Sequence, residues 1–502
     1  MFHKFLFTLG LFFIGISIQA QSSYFTVTET EPFKDSRRGS SLEAVFTLAN
    51  GEILAVRSAK KELLVSNFDA TYKLRSDVDL ALERKESYLG ASFTDNFVRV
   101  FTVLRVDKKS RDVFCHTYDI ASKKVTKTKL YTATSSTKNR SKRGYVNPRK
   151  HDENFRGSPD GKYLAFAVDN VNAKTNSYSI RVYDQELNLV YDTSYYRDIE
   201  RYFQFDDFIV TNKAEIISVG KLYKVGKRDR RKGKANYDYV IHKVTEDDNT
   251  SSSLELQENF INELRFAQTD DLIRLFGFYS ERSSDRMKGA LSYNFQGTDI
   301  RDVSLKQSVF PETIYQDLYR DAKAERLKEK EKEFSSFYLD YAFVDEMGNS
   351  YLLAEKFYIT QTTVSTGMGG MSTSIQYHYD DILVIKFDSE GTILWGRAIL
   401  KKDAQPSYNA LVMDDELHVF LNTGKNVKEK EDGRKKVKRG LFSSTALFDI
   451  VFDAKGKQTF ELIQENKGKT IYRPYLGTFD YDKFILGNMS KSKKQFLILS
   501  KK

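Results

Sequence analysis

The sequence predicts an all-β protein built as a single β-propeller, and three observations lead to this fold class. A unit of apolar strand, polar turn and apolar strand recurs about every 50 to 60 residues, a spacing typical of propeller blades. The chain has 30 Tyr and 37 Phe but only 6 Pro among 502 residues, which suits strands that pack ring against ring. Cys115 is the only cysteine, so a large buried core has to replace disulfides.

The N-terminal residues resemble a secretory signal. Lys4 precedes an apolar stretch that reaches Ile16, and Ala20 supplies a small residue at the expected cleavage site. The apolar stretch is about 14 residues long, whereas a bilayer-spanning helix needs about 20. We therefore expect residues 1–20 to be removed and residues 21–502 to be exported to the periplasm or the exterior, with no integral membrane span after cleavage.

The clearest strand–turn–strand unit lies between Tyr379 and Trp395. A β-branched run ends at Asp388-Ser-Glu-Gly391, where Asp can bond the backbone ahead and Gly can adopt positive φ. A second strand begins at Ile393, so the segment predicts a hairpin. The same pattern of strand, polar turn and strand recurs in residues 180–191 and 448–457.

Two segments of the sequence resemble known propeller repeats. Ser158–Phe166 resembles the WD40-like repeat of the Tol-system periplasmic propeller and of dipeptidyl-peptidase propellers. Asp381–Trp395 is similar to a bacterial β-propeller repeat of the form strand, Asp-x-x-Gly, aliphatic, Trp. The resemblance implies a propeller, identifies no specific family and carries no functional residues across. The nucleophile-elbow motif Gly-x-Ser-x-Gly of the peptidases is not found in the sequence after these repeats.

Counting units predicts the blades. They fall near 42–80, 86–132, 153–196, 202–257, 260–306, 338–403 and 406–464, with a remainder at 470–502. That remainder holds about three strands, so residues 24–30 are expected to pair with it and close the ring. Eight blades is the favoured count, and seven is the alternative.

One segment, residues 311–336, interrupts the strand pattern and predicts a helical insertion between blades. Pro311 suits a first helical position, and Ile314, Tyr315 and Leu318 follow at helical spacing. The run 328–333 is wholly charged. We expect the first half of the insertion to pack on the body and the second half to be solvated.

Positive charge is concentrated in three segments. Residues 138–150 hold six basic residues and no acid, residues 221–234 hold eight and one, and residues 425–439 hold eight and three. In an up-and-down blade the b–c loop and the connection to the next blade leave at the same end, so all three should rim one face. The candidate binding residues are Arg140, Lys142, Arg143, Lys227, Arg228, Arg230, Arg231, Lys232, Arg434, Lys435, Lys436 and Arg439.

No motif predicts a catalytic, metal or cofactor site. The histidines are scattered without zinc-ligand spacing, and we expect no metal and no cofactor. Cys115 and Trp395 read as packing residues, and acidic pairs such as Asp206-Asp207 read as turn or surface charge. A carboxylate pair contributed by two blades would leave no local signature, so an enzyme remains an alternative.

Three functions follow in order of preference. The first is a non-catalytic binding or scaffold module that meets an acidic glycan, envelope component or protein through its basic face; nucleic acid is not expected as the physiological partner. The second is a structural subunit of an envelope complex, joined through the helical insertion. The third is a propeller enzyme that acts on glycans. The sequence leaves the oligomeric state open.

Overall fold

The computed structural model describes most of the chain and confirms the β-propeller. The described residues are 22–35, 39–59, 62–94, 96–107, 110–134, 155–171, 176–195, 201–254, 256, 258–269, 272–330, 332–365, 371–424, 427–432, 434–438, 445–466, 470–480 and 482–502. The expected signal, residues 1–20, lies outside them. Within the described part no helix is long and apolar enough to cross a membrane.

Eight antiparallel sheets form the eight blades, each with strands in the order a, b, c and d from the axis outward. Blades 1 to 4 contain Ser41–Thr47, Ile53–Ala59, Glu62–Phe68 and Leu74–Asp79; Glu86–Thr94, Phe97–Arg105, Ser110–Asp119 and Val125–Thr134; Phe155–Gly157, Leu164–Val171, Asn176–Tyr183 and Leu189–Tyr195; and Phe203–Val210, Ile216–Tyr223, Tyr237–Val244 and Asn249–Leu254. Blades 5 to 8 contain Phe260–Gln268, Ile273–Ser280, Gly289–Gln296 and Asp299–Val309; Phe337–Val344, Ser350–Ser365, Met371–Phe387 and Ile393–Asp403; Tyr408–Met413, Glu416–Gly424, Thr445–Phe452 and Gln458–Glu465; and Thr478–Asp480, Lys483–Gly487, Phe496–Lys501 and Phe25–Glu29.

The two ends of the chain meet in blade 8. Phe25–Glu29 pairs antiparallel with Phe496–Lys501, so the most N-terminal strand is the outer strand of the last blade. Phe25 is 2 % exposed and packs edge-on against Phe420 of blade 7, with ring centroids 5.6 Å apart. The strand therefore joins the ring by backbone pairing and by core packing together.

The c–d turns explain why the hairpin motif recurs. In blade 6 the Asp388 carboxylate accepts hydrogen bonds from Glu390 N at 2.9 Å and Thr392 N at 2.8 Å. Asp453 makes the equivalent bonds in blade 7. Gly456 closes that turn with φ +78°, and a Cβ there would lie 2.7 Å from the Trp395 ring, so this position needs glycine on two counts.

The helical insertion is more deeply built into the body than its charge suggests. It forms two helices, α1 (Glu312–Leu318) and α2 (Asp321–Glu329). Both bury apolar side chains in the core shared by blades 5 and 6, and α2 contributes Ala324 and Leu327. Glu333, expected in solvent, is buried and accepts hydrogen bonds from Ser280 Oγ and Glu281 N. The other described residues of the charged run, Lys328, Glu329, Lys330 and Lys332, are exposed as expected.

Four short pairings extend the blades at their loops. Phe33–Lys34 pairs with Lys493–Lys494, Arg230–Arg231 with Lys234–Ala235, Arg286–Met287 with Phe334–Ser335, and Lys428–Glu429 with Lys435–Lys438. The last of these also adds, in parallel, to the outer strand of blade 6, whose sheet thereby has six strands. This addition covers part of an edge that would otherwise be open to pairing with another chain.

Replacing the buried ring that anchors the closing strand tests its contribution. Phe25→Ala should lower the free energy of unfolding by about 3–5 kcal/mol, because it leaves a cavity between blades 7 and 8. Thr26→Ala, at the exposed neighbouring position, should change it by less than about 0.5 kcal/mol. Urea unfolding followed by circular dichroism measures both. Equal stability of the two variants would mean that this strand does not hold the ring.

Candidate functional site

The long-looped end of the propeller carries a hairpin in blade 4 whose base is fixed by one half-buried carboxylate. In this blade-4 hairpin (residues 224–236), Asp229 accepts hydrogen bonds from Tyr223 OH at 2.5 Å and from Ser284 Oγ of blade 5 at 2.6 Å. Asn236 Nδ2 donates to the carbonyls of Val225 and Arg228. These bonds tie the hairpin to its own blade and to the next one, so it projects as an ordered element.

The cations of this hairpin divide into engaged and unengaged groups. Lys224 pairs with Asp238 at 3.1 Å, Lys234 pairs with Glu258 at 2.8 Å, and Lys227 lies 4.2 Å above the Tyr202 ring. The other four are exposed and make no ion pair or side-chain hydrogen bond to a described residue; they are Arg228, Arg230, Arg231 and Lys232. The hairpin therefore presents four adjacent positive charges to solvent.

The predicted binding residues of blade 7 lie at the same end of the propeller, but their contacts differ from those of the blade-4 hairpin. Arg434 is only 10 % exposed; it pairs with Asp432 at 2.7 Å and donates to the Leu318 carbonyl at the end of α1. Lys435 is exposed beside the Phe460 ring, and Lys436 is half-buried. Arg434 thus joins the blade-7 loop to the insertion and is not presented outward.

The structure does not gather the predicted basic residues into one cluster. Blades 4 and 7 are three positions apart, and the blade-5 loop and the insertion lie between them. Arg140, Lys142, Arg143 and Arg439 fall outside the described residues, as does the glycine-rich loop at 367–370.

The central channel is lined by the a strands, which contact one another around the ring. In blades 1, 2, 4, 5 and 6 the a strand carries a β-bulge near its start, where the pairing with strand b shifts by one residue. Bulges redirect side chains locally. In four of these blades the extra residues include an acid, namely Glu43, Asp206, Glu263 and Asp340. Glu43 accepts a hydrogen bond from Ser58 Oγ of its own blade.

These acids are engaged by neighbouring strands. Glu263 accepts a hydrogen bond from Leu339 N of blade 6 at 2.8 Å, and Asp340 accepts one from Tyr408 OH of blade 7 at 2.7 Å. Asp206 accepts one from Tyr239 OH at 2.7 Å within its own blade. Each of these carboxylates therefore contributes at least one hydrogen bond to the frame.

The prediction that Asp206-Asp207 is turn or surface charge was wrong. Both residues lie in the a strand of blade 4. Asp207 is 2 % exposed and joins three blades, because it pairs with Arg156 of blade 3 at 3.0 Å and accepts a hydrogen bond from Phe266 N of blade 5 at 2.9 Å. An acidic dipeptide inside an aromatic strand, Phe203-Gln-Phe-Asp-Asp-Phe208, was the available signal.

Two buried histidines, the cysteine and the tryptophan make contacts that suit structural roles. His116 contacts Glu86 at 2.8 Å in blade 2, and His418 contacts Asp449 at 2.7 Å in blade 7. Burial raises the pKa of Cys115 to about 11, which leaves the thiol unreactive. Trp395 donates to the Ala454 carbonyl and stacks on Phe452, as expected for inter-blade packing. Among the described residues no three His, Cys, Asp or Glu side chains are grouped to hold a metal ion.

Comparison with solved structures returns propellers at very low identity. The chain is similar to the Dos1 propeller (7 % identity, 94 % of this chain and 95 % of that chain, TM-score 0.41) and to the WD40 domain of SCAP from fission yeast (7 %, 94 % and 98 %, 0.40). It is also similar to dipeptidyl peptidase 4 of Porphyromonas gingivalis (11 %, 89 % and 56 %, 0.40). No protein-family model matches the sequence, and no curated protein matches it. The fold assignment rests on the strand order itself.

The helical insertion is tied to blade 6 through α1, while α2 exposes all of its residues except Ala324 and Leu327. Asp317 of α1 holds Arg397 with two bonds of 2.8 and 2.9 Å and accepts a third from Ala398 N. Thr313 donates to the Gly396 carbonyl. Because α1 forms part of the core of blade 6, removing the insertion would damage the blade as well as any partner contact.

Sequence reasoning missed a basic cavity at the seam between blades 8 and 1. The cavity has a volume of about 790 Å³, and its walls include Arg57, Arg473, Lys491 and Lys494. These residues come from opposite ends of the chain and from positions with no shared motif. Only the ring closure brings them together.

The channel electrostatics can be tested through Asp206. Burial, reinforced by the charge of Glu263, raises its pKa to about 6 against the attraction of Lys221. A raised pKa means that the carboxyl contributes most to stability when protonated, and that this contribution is lost as pH rises through about 6. The free energy of unfolding of Asp206→Asn, relative to wild type, should therefore increase from pH 4 to 6, by at most about 1.4 kcal/mol per pH unit.

Asp247→Asn is the matched control, because it removes one negative charge from an exposed turn of the same blade. Urea titrations at half-unit pH intervals give the comparison. Parallel pH profiles for wild type and Asp206→Asn would contradict the assigned direction of the shift.

Proposed function

We propose that this protein is a non-catalytic binding module whose long-looped end takes an anionic partner through the blade-4 hairpin. The proposal is carried by one observation. Arg228, Arg230, Arg231 and Lys232 are exposed side by side, without partners among the described residues. Unpaired like charges repel one another, and an anionic partner relieves that repulsion.

The anchoring of the hairpin supports recognition over simple solubility. Asp229 is held from two sides, by Tyr223 and by Ser284. The loop is therefore ordered before a partner binds, so binding does not have to offset the loss of conformational entropy in the loop. Preorganisation of this kind raises affinity without further contacts. A solubilising loop would need no such bonds.

The residue types indicate the partner's chemistry. Three of the four unengaged cations are arginines, whose planar guanidinium matches carboxylate, sulfate and phosphate groups with two hydrogen bonds at once. Arg282 on the adjacent blade-5 loop is also exposed and unpaired among the described residues and extends the patch. These features suit an acidic glycan or an acidic protein surface.

The experiment compares binding of residues 21–502 to an immobilised sulfated polysaccharide with that of a variant in which Arg228, Arg230, Arg231 and Lys232 are replaced by Ser. Wild type should bind at low salt and elute as salt rises, because counterion release drives the association. The variant should elute at lower salt, with the slope of log affinity against log salt reduced by about 2–3.

A charge-matched control separates a site from net charge. Lys73, Lys123, Lys213 and Lys455 are exposed on turns at the opposite end of the disk, and replacing these four by Ser removes the same total charge. This control should elute with wild type. Equal losses in the two variants, or no binding by wild type, would reject the proposal.

A further inference from the structure

The cavity between blades 8 and 1 has an unusual supply of unsatisfied polar groups. It opens on the long-looped end, with Gly39–Leu42 and Glu62 on the blade-1 side and Leu476, Gly487–Met489 and Phe496 on the blade-8 side. Lys494 lies in its wall and is 6 % exposed. The Lys494 ammonium has one hydrogen bond to a described residue, a 3.4 Å contact to the Asn488 carbonyl. The charge of Asp35 attracts it, while Arg473 and Arg57 repel it, so the buried ammonium is only partly compensated.

Two more cations and one acceptor in the same walls also lack partners. Arg473 and Lys491 make no ion pair or side-chain hydrogen bond to a described residue. Asn488 is 7 % exposed, and its Oδ1 receives no hydrogen bond, although its Nδ2 donates to the Lys493 carbonyl. Such an unsatisfied buried acceptor is costly, so the wall beside Asn488 is polar and strained as well as basic.

The guanidinium of Arg57, in contrast, is engaged in hydrogen bonds with neighbouring side chains. It donates to Ser66, Ser40, Asp35 and Asp77 at 2.6–3.3 Å. Its charge is balanced by two carboxylates, so it stiffens the floor of the cavity and does not add an open site. The other charged lining residues are Lys494, Arg473 and Lys491 against one acid, Glu62, which leaves an excess of two positive charges.

We propose that this seam cavity binds an anionic carbohydrate unit, a sugar that carries a carboxylate, sulfate or phosphate. The anionic group would meet Lys494 and Arg473. Leu42, Leu476 and Phe496 supply apolar wall against which a sugar ring packs, and the volume of about 790 Å³ exceeds what an inorganic ion fills. Burial lowers the pKa of Lys494, and a bound anion would reverse that effect.

This site goes beyond the proposed function, because it lies four blades away from the blade-4 hairpin and uses different residues. The test is thermal unfolding of residues 21–502 with increasing glucuronate, glucose 6-phosphate, inorganic phosphate or glucose at constant ionic strength. Glucuronate or glucose 6-phosphate should raise Tm saturably, as expected for a ligand that binds the folded state. Inorganic phosphate should raise it less, and glucose should leave it unchanged.

Two variants locate the effect. Lys494→Met removes a buried, poorly compensated charge, so it should not lower Tm without ligand, and it should abolish the ligand-dependent shift. Arg473→Gln changes a half-buried side chain with no partner among the described residues and should reduce the shift at least tenfold in apparent affinity, without affecting folding. The blade-4 hairpin variant should keep the full shift, which separates this site from the proposed function.

Three results would overturn the inference. These are no shift in wild type with either charged sugar, a shift that survives in both Lys494→Met and Arg473→Gln, or an equal shift with inorganic phosphate. The last result would assign the cavity to a simple anion and remove the carbohydrate from the proposal.

Discussion

The ring depends on side chains that join the inner strands of neighbouring blades. The a strands belong to separate sheets, so no backbone ladder links them at the axis. Carboxylates and one amide provide the links at six of the eight interfaces, whereas blades 1 and 2 meet at the stacked rings of Phe46 and Phe93, and blades 2 and 3 at Phe101 and Phe155. Blades 3, 4 and 5 meet at Asp207, blades 5 and 6 at Glu263, blades 6 and 7 at Asp340, blades 7 and 8 at Asn409, and blades 8 and 1 at Asp480, which accepts from Thr47 N. Each link satisfies a polar group that would otherwise be buried without a partner.

The inner acids join strands around the axis, and it is at the periphery that the two ends of the disk differ. The long-looped end carries the ordered basic hairpin of blade 4 and the seam cavity of blades 8 and 1, while the other end carries short turns. A rigid frame with varied loops at one end is suited to binding.

The sequence predicts those features that are local. The Asp388 turn, the insertion near Pro311 and the basic loop at 221–234 each carry their signal within a few residues, and the blade count follows from their spacing. Features formed between distant segments are not predictable in this way. Asp207 bonds to residues 51 and 59 positions away, the seam cavity joins both ends of the chain, and Arg434 is buried because a loop of blade 7 folds back onto the insertion.

A double-mutant cycle on Arg156 and Asp207 tests most directly whether inner-strand carboxylates hold the blades together. Arg156→Ala, Asp207→Ala and the double variant are compared with wild type by urea unfolding at neutral pH. If the link between blades 3 and 4 is energetically real, the double variant should lose less than the sum of the single losses, with a coupling of about 1–3 kcal/mol. Losses that add to within about 0.3 kcal/mol would show that the two side chains act independently, and the account of ring closure by inner-strand links would fail.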